Sequence, residues 1–267
     1  MNRILRSATL LIAVLALPAA LHADPVSIEP TSVEIPADPG ARHRQVLTIA
    51  NTGSDETLSL TLIMADWTIG KSGAVALTPG GQQETSAADW ARVTPGFMAL
   101  APGQSGQVIV DFVIPAKPDR SGNYRTALLA SQVAPGPHGI MQRTEASSLF
   151  YFTIDPAVSA PAITGVRLTG PPDARQLEVD LSNSGNAHAR LEGKIRIEGD
   201  GHPPIVLPVA NLVVLEASQR TFVLPIDGEL PERARVTVEF DNLFAPQVVG
   251  GMAPVRSWSA PLDTPAG

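Results

Sequence analysis

The chain has no cysteine. Disulfide staples, cysteine nucleophiles and thiolate-dependent zinc or iron–sulfur sites are therefore excluded, and stability has to come from core burial. Histidine is sparse. His22, His43, His138, His188 and His202 never stand at ligand spacing, and no H-E-x-x-H or EF-hand pattern occurs. His188 in NSGNAHA and His202 in GDGHPP lie in turn-like sequence and are read as exposed. Gly70-Lys71-Ser72 has Ala65 where a phosphate-binding loop needs its first glycine, so IGKSGA is read as a hairpin tip. No G-x-S-x-G elbow is present, and nothing in the sequence pairs Asp66 or Asp89 with a second carboxylate. The expectation is a protein that is not an enzyme, with no catalytic residue, no metal, no cofactor and no small-molecule substrate.

Long apolar runs are missing as well. ATLLIAVLAL (8–17) is too short for a bilayer, which takes about 20 residues. With Arg3 and Arg6 before it and Leu21-His22-Ala23 after it, it reads as a signal peptide over 1–23. The reading is of an exported chain, not membrane-embedded, that starts near Asp24. Removing Arg3 and Arg6 from 19 basic residues leaves 17 against 26 acidic ones, a balance of −9. Clustered Lys and Arg are absent, which argues against nucleic acid or an anionic membrane surface as partner.

Proline (25) and glycine (22) are abundant, and they punctuate short runs rich in Val, Ile, Leu and Thr. Strands are expected over 45–50, 57–63, 107–114, 124–133 and 147–154, and again over 176–182, 190–197, 205–215, 220–226 and 234–240. Leu58, Leu60 and Leu62 alternate with Ser59 and Thr61, as Leu177, Val179 and Leu181 do with Glu178 and Asp180. Such alternation marks strands with one buried face. No window carries a helical stripe free of Pro or Gly. The fold class read from this is all-β, two immunoglobulin-like sandwiches in tandem. The halves echo each other: VLTIANTGSDETLSL (46–60) against LEVDLSNSGNAHARL (177–191), each followed by a similar phrase, LAPGQSGQVIVDFVIP (100–115) and LEASQRTFVLPI (215–226). The small, proline-bearing stretch 155–163 reads as a connector. The expected domains are 24–156 and 157–252, with a flexible tail over 253–267.

Aromatic residues make up only 4% of the chain, yet Phe150, Tyr151 and Phe152 stand side by side in SSLFYFTIDP (147–156). That run is read as the last strand of the first sandwich. Trp67 and Trp90 are read as sandwich core, since large rings bury the most apolar area.

Several phrases in order, VSIEPTSVEIP, VLTIANTG, ADWT, DWARVTP, LAPGQSGQVIVDF, IPAKPDRSGNYR and SSLFYFTIDP, make residues 26–156 resemble the PapD-like periplasmic pilus-assembly chaperones. The resemblance implies a periplasmic chaperone that binds a pilus-like subunit and an outer-membrane usher. It would cap the subunit's incomplete sheet by lending a strand, with main-chain hydrogen bonds giving affinity and alternate side chains filling pockets. On this reading Leu149, Phe150, Tyr151, Phe152 and Ile154 form the lent strand, about half of them entering the client. The family anchors a client carboxylate with an arginine in the first strand and a lysine in the last. Here Ser32 and Ser148 stand at those places, with Arg143 the nearest upstream cation and Arg44, Arg120 and Arg125 as alternatives. Asp119-Arg120 matches the family's Asp-Arg pair and is read as an internal ion pair. The alternative reading is a non-catalytic structural or interaction module of a cell-envelope complex, with the aromatic strand wholly internal.

Overall fold

The computed structural model describes residues 25–136, 139–171, 173–228, 230–231, 234–244 and 256–261. The expected signal peptide lies outside them. The first sandwich has two sheets. Sheet I takes β1 (Val26–Glu29), β3 (Arg42–Asn51), β8 (Ser105–Val113) and β6 (Ala91–Thr94), in the order β1-β3-β8-β6. Sheet II takes β2 (Ser32–Pro36), β10 (Met141–Ile154), β9 (Gly122–Pro135), β4 (Leu58–Ile69) and β5 (Val75–Pro79), with β7 (Phe97–Leu100) paired to β4. The alternation seen in the sequence decides which residues meet between the sheets. Leu47, Ile49, Leu60, Val108, Val110, Phe112, Phe150 and Phe152 are all buried there. Phe112 meets Phe150 and Phe152 edge-on at 5.0 and 4.8 Å, the geometry that the ring quadrupole favours.

The second sandwich repeats the plan. Sheet III is β11 (Pro161–Thr169), β12 (Gln176–Asn183) and β15 (Ser218–Pro225). Sheet IV runs β14 (Ile205–Val214), β13 (Ala189–Glu198), β16 (Arg235–Asn242) and β17 (Arg256–Pro261). Both sandwiches have the strand order of immunoglobulin-like domains. The tail expectation is corrected at 256–261, which pairs with β16 as β17; the remainder of that tail lies outside the described residues.

The sequence echo has a common cause. Asn51 and Asn183 are both buried. Each accepts from the glycine two positions on, Gly53 or Gly185, at 3.0 Å. Each amide also donates to a carbonyl just past its own turn, Glu56 or Ala187, and to one in a distant strand, Leu100 or Val214. One side chain thus satisfies main-chain groups that the turn would otherwise leave bare.

The two sandwiches are joined through the outer face of sheet II. Trp67, Ala127 and Tyr151 pack against Val213 and Leu215, with Leu149 and Leu77 at the margin. Trp67 is fully buried, but beneath the second domain and not inside its own sandwich, because odd positions of β4 face outward while Leu58, Leu60 and Leu62 face in. Trp90 does pack on the first core, 4.6 Å from Tyr124 and 5.4 Å from Phe152. Arg125 and Glu216 form a buried ion pair across the junction. The hairpin tip between β4 and β5 reaches sheet III, where Thr221 N–H donates to Lys71 O at 2.8 Å.

Candidate functional site

β10 is fourteen residues long, and its two edges are not treated alike. β9 pairs with all of it, from Met141↔Pro135 to Ile154↔Gly122, with no break in register. On the other edge, β2 pairs in parallel with Leu149 to Thr153 only. The chain crosses from sheet I into sheet II at Pro30 and Thr31, so β2 arrives too late to cover what precedes Leu149. Residues Met141–Ser148 therefore border a sheet margin that no described strand occupies.

Which groups face that margin follows from strand alternation. Leu149 N–H donates outward to Thr31 O at 2.9 Å, and Thr153 O accepts outward from Ala37 N–H at 2.8 Å. Odd residues thus direct both main-chain groups away from β9. Carried back along an unbroken register, Met141, Arg143, Glu145 and Ser147 present theirs to the open side. Side chains alternate between faces too: Ala146, Phe150, Phe152 and Ile154 pack on the first core, while Leu149 and Tyr151 face the second domain.

The expected lending strand is corrected on this point. Phe150, Tyr151, Phe152 and Ile154 are buried, and Leu149 is packed into the domain junction. From Leu149 to Thr153 both main-chain edges are taken, by β9 and β2. Phe150 and Phe152 are sandwich core, and Tyr151 lies 4.9 Å edge-on to Trp67. The free stretch is the one just upstream, MQRTEASS, of which the expected strand took in only Ser147 and Ser148, because residues 141–146 lack apolar alternation. The signal available was the turn: Pro135, Gly136, Pro137 and Gly139 follow the strand ending near Val133, so a hairpin of equal arms requires the return strand to begin near 141.

The anchor residues separate. Ser148 is buried and its hydroxyl donates to Pro30 O at 2.6 Å, so it is committed to holding the crossover. Ser32 lies opposite Leu149 at the margin's end and is exposed. Arg143 stands on the open stretch, paired at 2.6 Å with Glu145. Arg44 is on sheet I, bonded to Asp111 at 2.6 and 3.0 Å, and Arg125 is spent on Glu216. Asp119 is exposed, and neither it nor Arg120 enters an ion pair among the described residues.

Beside the covered half of β10, β2 is clasped to the second domain. Glu34 meets Arg190 at 2.5 Å and His188 Nε2 at 3.4 Å. His188 is fully buried, which corrects the exposed reading. Its ring lies tilted between those of Tyr151 at 4.6 Å and Phe244 at 4.4 Å, with Nδ1 2.8 Å from Asn123 Oδ1. The neighbouring His188 ring and Arg190 guanidinium hold the Glu34 carboxyl down at about 2 despite partial burial. Burial under the second domain pushes the Tyr151 hydroxyl up to about 12. Among the described residues no cluster of three or more His, Asp or Glu could hold a metal, and no helix is long and apolar enough to cross a membrane.

No protein-family model matches the chain, and no curated protein does. Solved structures similar to it include the class 5 fimbriae chaperone CfaA (11% identity, TM-score 0.42, 90% of this chain and 99% of that one). The CupB2 chaperone of Pseudomonas aeruginosa is 14% identical with a TM-score of 0.43, over 89% of this chain and 100% of that one. The E. coli chaperone DraB is 13% identical with a TM-score of 0.41, over 89% and 98%. Likeness at this level speaks of neither client nor mechanism.

Proposed function

We propose that the protein is a non-catalytic chaperone of the periplasm that caps the incomplete sheet of a pilus-type subunit by lending it Met141–Ser148 of β10. One observation carries the reading: half of a long, otherwise fully paired strand has an open main-chain edge. Exposed edges invite aggregation, and proteins ordinarily blunt or cover them. One held ready on two packed domains is suited to pairing with a foreign strand. The motif resemblance over residues 26–156 points the same way. An outer-membrane usher is the second partner on this reading, and export by the N-terminal segment delivers the protein to both.

The side chains refine the picture. Thr144 and Ala146 are short and Arg143 and Glu145 are charged, so exposed Met141 is the one large apolar side chain the lent stretch offers. Main-chain pairing is then the larger source of affinity, and the client groove accepts small residues.

The test exploits the parity of β10. Ser147→Pro removes an N–H aimed at the open edge and leaves the β9 ladder intact, whereas Ser148→Pro removes a ladder donor. The wild type, co-expressed with a strand-deficient pilus-type subunit, is expected to recover it from periplasmic extract; Ser147→Pro is expected to lose it while staying folded. Equal recovery by both would overturn the reading and leave the structural-module alternative.

A further inference from the structure

The structure assigns Met141 a second role, as an oxidation site that controls the lent strand: a peroxide-class oxidant converts its thioether to the sulfoxide and thereby weakens capture of a client. The modification stands by itself, while its effect on capture rests on the chaperone reading.

Three methionines lie among the described residues, and they are placed differently. Met64 and Met98 are partly buried against the first core. The Met98 Sδ sits so close over Gly106 that a Cβ at that glycine would be 2.7 Å away. Met141 is 58% exposed, and Ile140 beside it and Val133 across the hairpin are exposed as well. Thioether oxidation follows access to the sulfur, and the chain has no cysteine to intercept the oxidant first.

The step balances between two reactants. A sulfur lone pair attacks one oxygen of hydrogen peroxide and the O–O bond breaks. The transferred oxygen gives its proton to the departing hydroxide, which leaves as water. Sulfur is oxidised by two electrons and the peroxide is reduced by two. A methionine sulfoxide reductase, drawing on thiols that end as a disulfide, reverses the change.

Position gives the added oxygen its effect. Met141 is an odd residue of β10, so its N–H and C=O face the open margin. Its side chain leaves the strand on the face of Leu149 and Tyr151, away from the first core. Within the lent stretch no other large apolar side chain is present to take over its contact. The sulfoxide turns this flexible apolar group polar, and a pocket that receives it has to bury a new acceptor without a donor. Main-chain pairing is untouched, so capture is weakened and not abolished.

The test treats the purified full chain with dilute hydrogen peroxide, quenches with catalase, and follows tryptic peptides by mass spectrometry. Met141 falls in the peptide from Thr126 to Arg143, apart from Met64 and Met98. That peptide is expected to gain oxygen several-fold faster than theirs. The quenched protein is then mixed with a strand-deficient pilus-type subunit diluted from denaturant, and recovery of the complex is expected to fall by about tenfold. Met141→Gln, polar as the sulfoxide is, is expected to show a similar loss without peroxide. Recovery by Met141→Leu, whatever its starting level, is expected to be the same before and after treatment. Met141 oxidising no faster than Met64 or Met98, equal losses for the wild type and Met141→Leu, or full recovery by Met141→Gln would overturn the proposal. Failure of the untreated wild type to recover the subunit overturns the chaperone reading and the effect on capture with it, while the peptide rates still decide the oxidation site. Unchanged circular dichroism of each variant guards against misfolding as the cause.

Discussion

Phe152 and Tyr151 are neighbours with different duties. Phe152 fills the first sandwich beside Phe112 and Trp90, and Phe152→Ala is expected to cost about 3–5 kcal/mol, read as a lower midpoint in urea at unchanged slope. Tyr151 seals the domain junction, so Tyr151→Asp would bury a charge there and is expected to destabilise the protein before it reports on any client. Glu34 yields a pH prediction. Its folded value lies near 2, below the ordinary 4.5, so its contribution is complete above about pH 4.5 and fades as pH falls toward 2. Glu34→Gln is expected to lower the melting temperature at neutral pH and to flatten its fall between pH 4.5 and 2, as followed by thermal denaturation. Alternation put Phe150 and Phe152 on one face and Tyr151 on the other, but which face is core was not legible from sequence alone. His188 was not legible, because only the docking of two domains turns NSGNAHA into an interior.

Among the elements, the strands with clean alternation were readable: β3 and β12 contain the expected runs, and β4, β8 and β16 each leave out one end residue of theirs. Those missed were short or poor in apolar pattern. β1, β2, β6 and β7 have four or five residues each, too few for a period of two to stand out. The open half of β10 was hidden for a related reason. A strand with one unused edge and a half-solvated face has little apolar area to bury, so its sequence carries little of the signal that burial imposes. The Asn-x-Gly phrases were legible as turns, while their role as braces to Leu100 and Val214 depended on contacts between distant strands. Asn183→Ala is expected to cost more than an ordinary surface change, about 1–3 kcal/mol, because Gly185 N–H and two carbonyls lose their partner together. Chemical denaturation would measure it.

At the scale of the whole molecule, the domain junction combines an apolar patch with buried charge. Arg125→Ala leaves Glu216 buried and unpaired, and is expected to cost about 3–5 kcal/mol. Replacing both by apolar residues, as in Arg125→Met with Glu216→Leu, is expected to recover most of that loss; calorimetry of single and double variants decides. The same strand that is free at one end is gripped at the other, between β2, Trp67 and the ring of His188. β10 is one unbroken rod, so whatever stiffens its outer half is felt at Tyr151. The indole of Trp67 then serves as an internal lamp, and its emission is expected to shift in brightness or colour as the far end fills and empties.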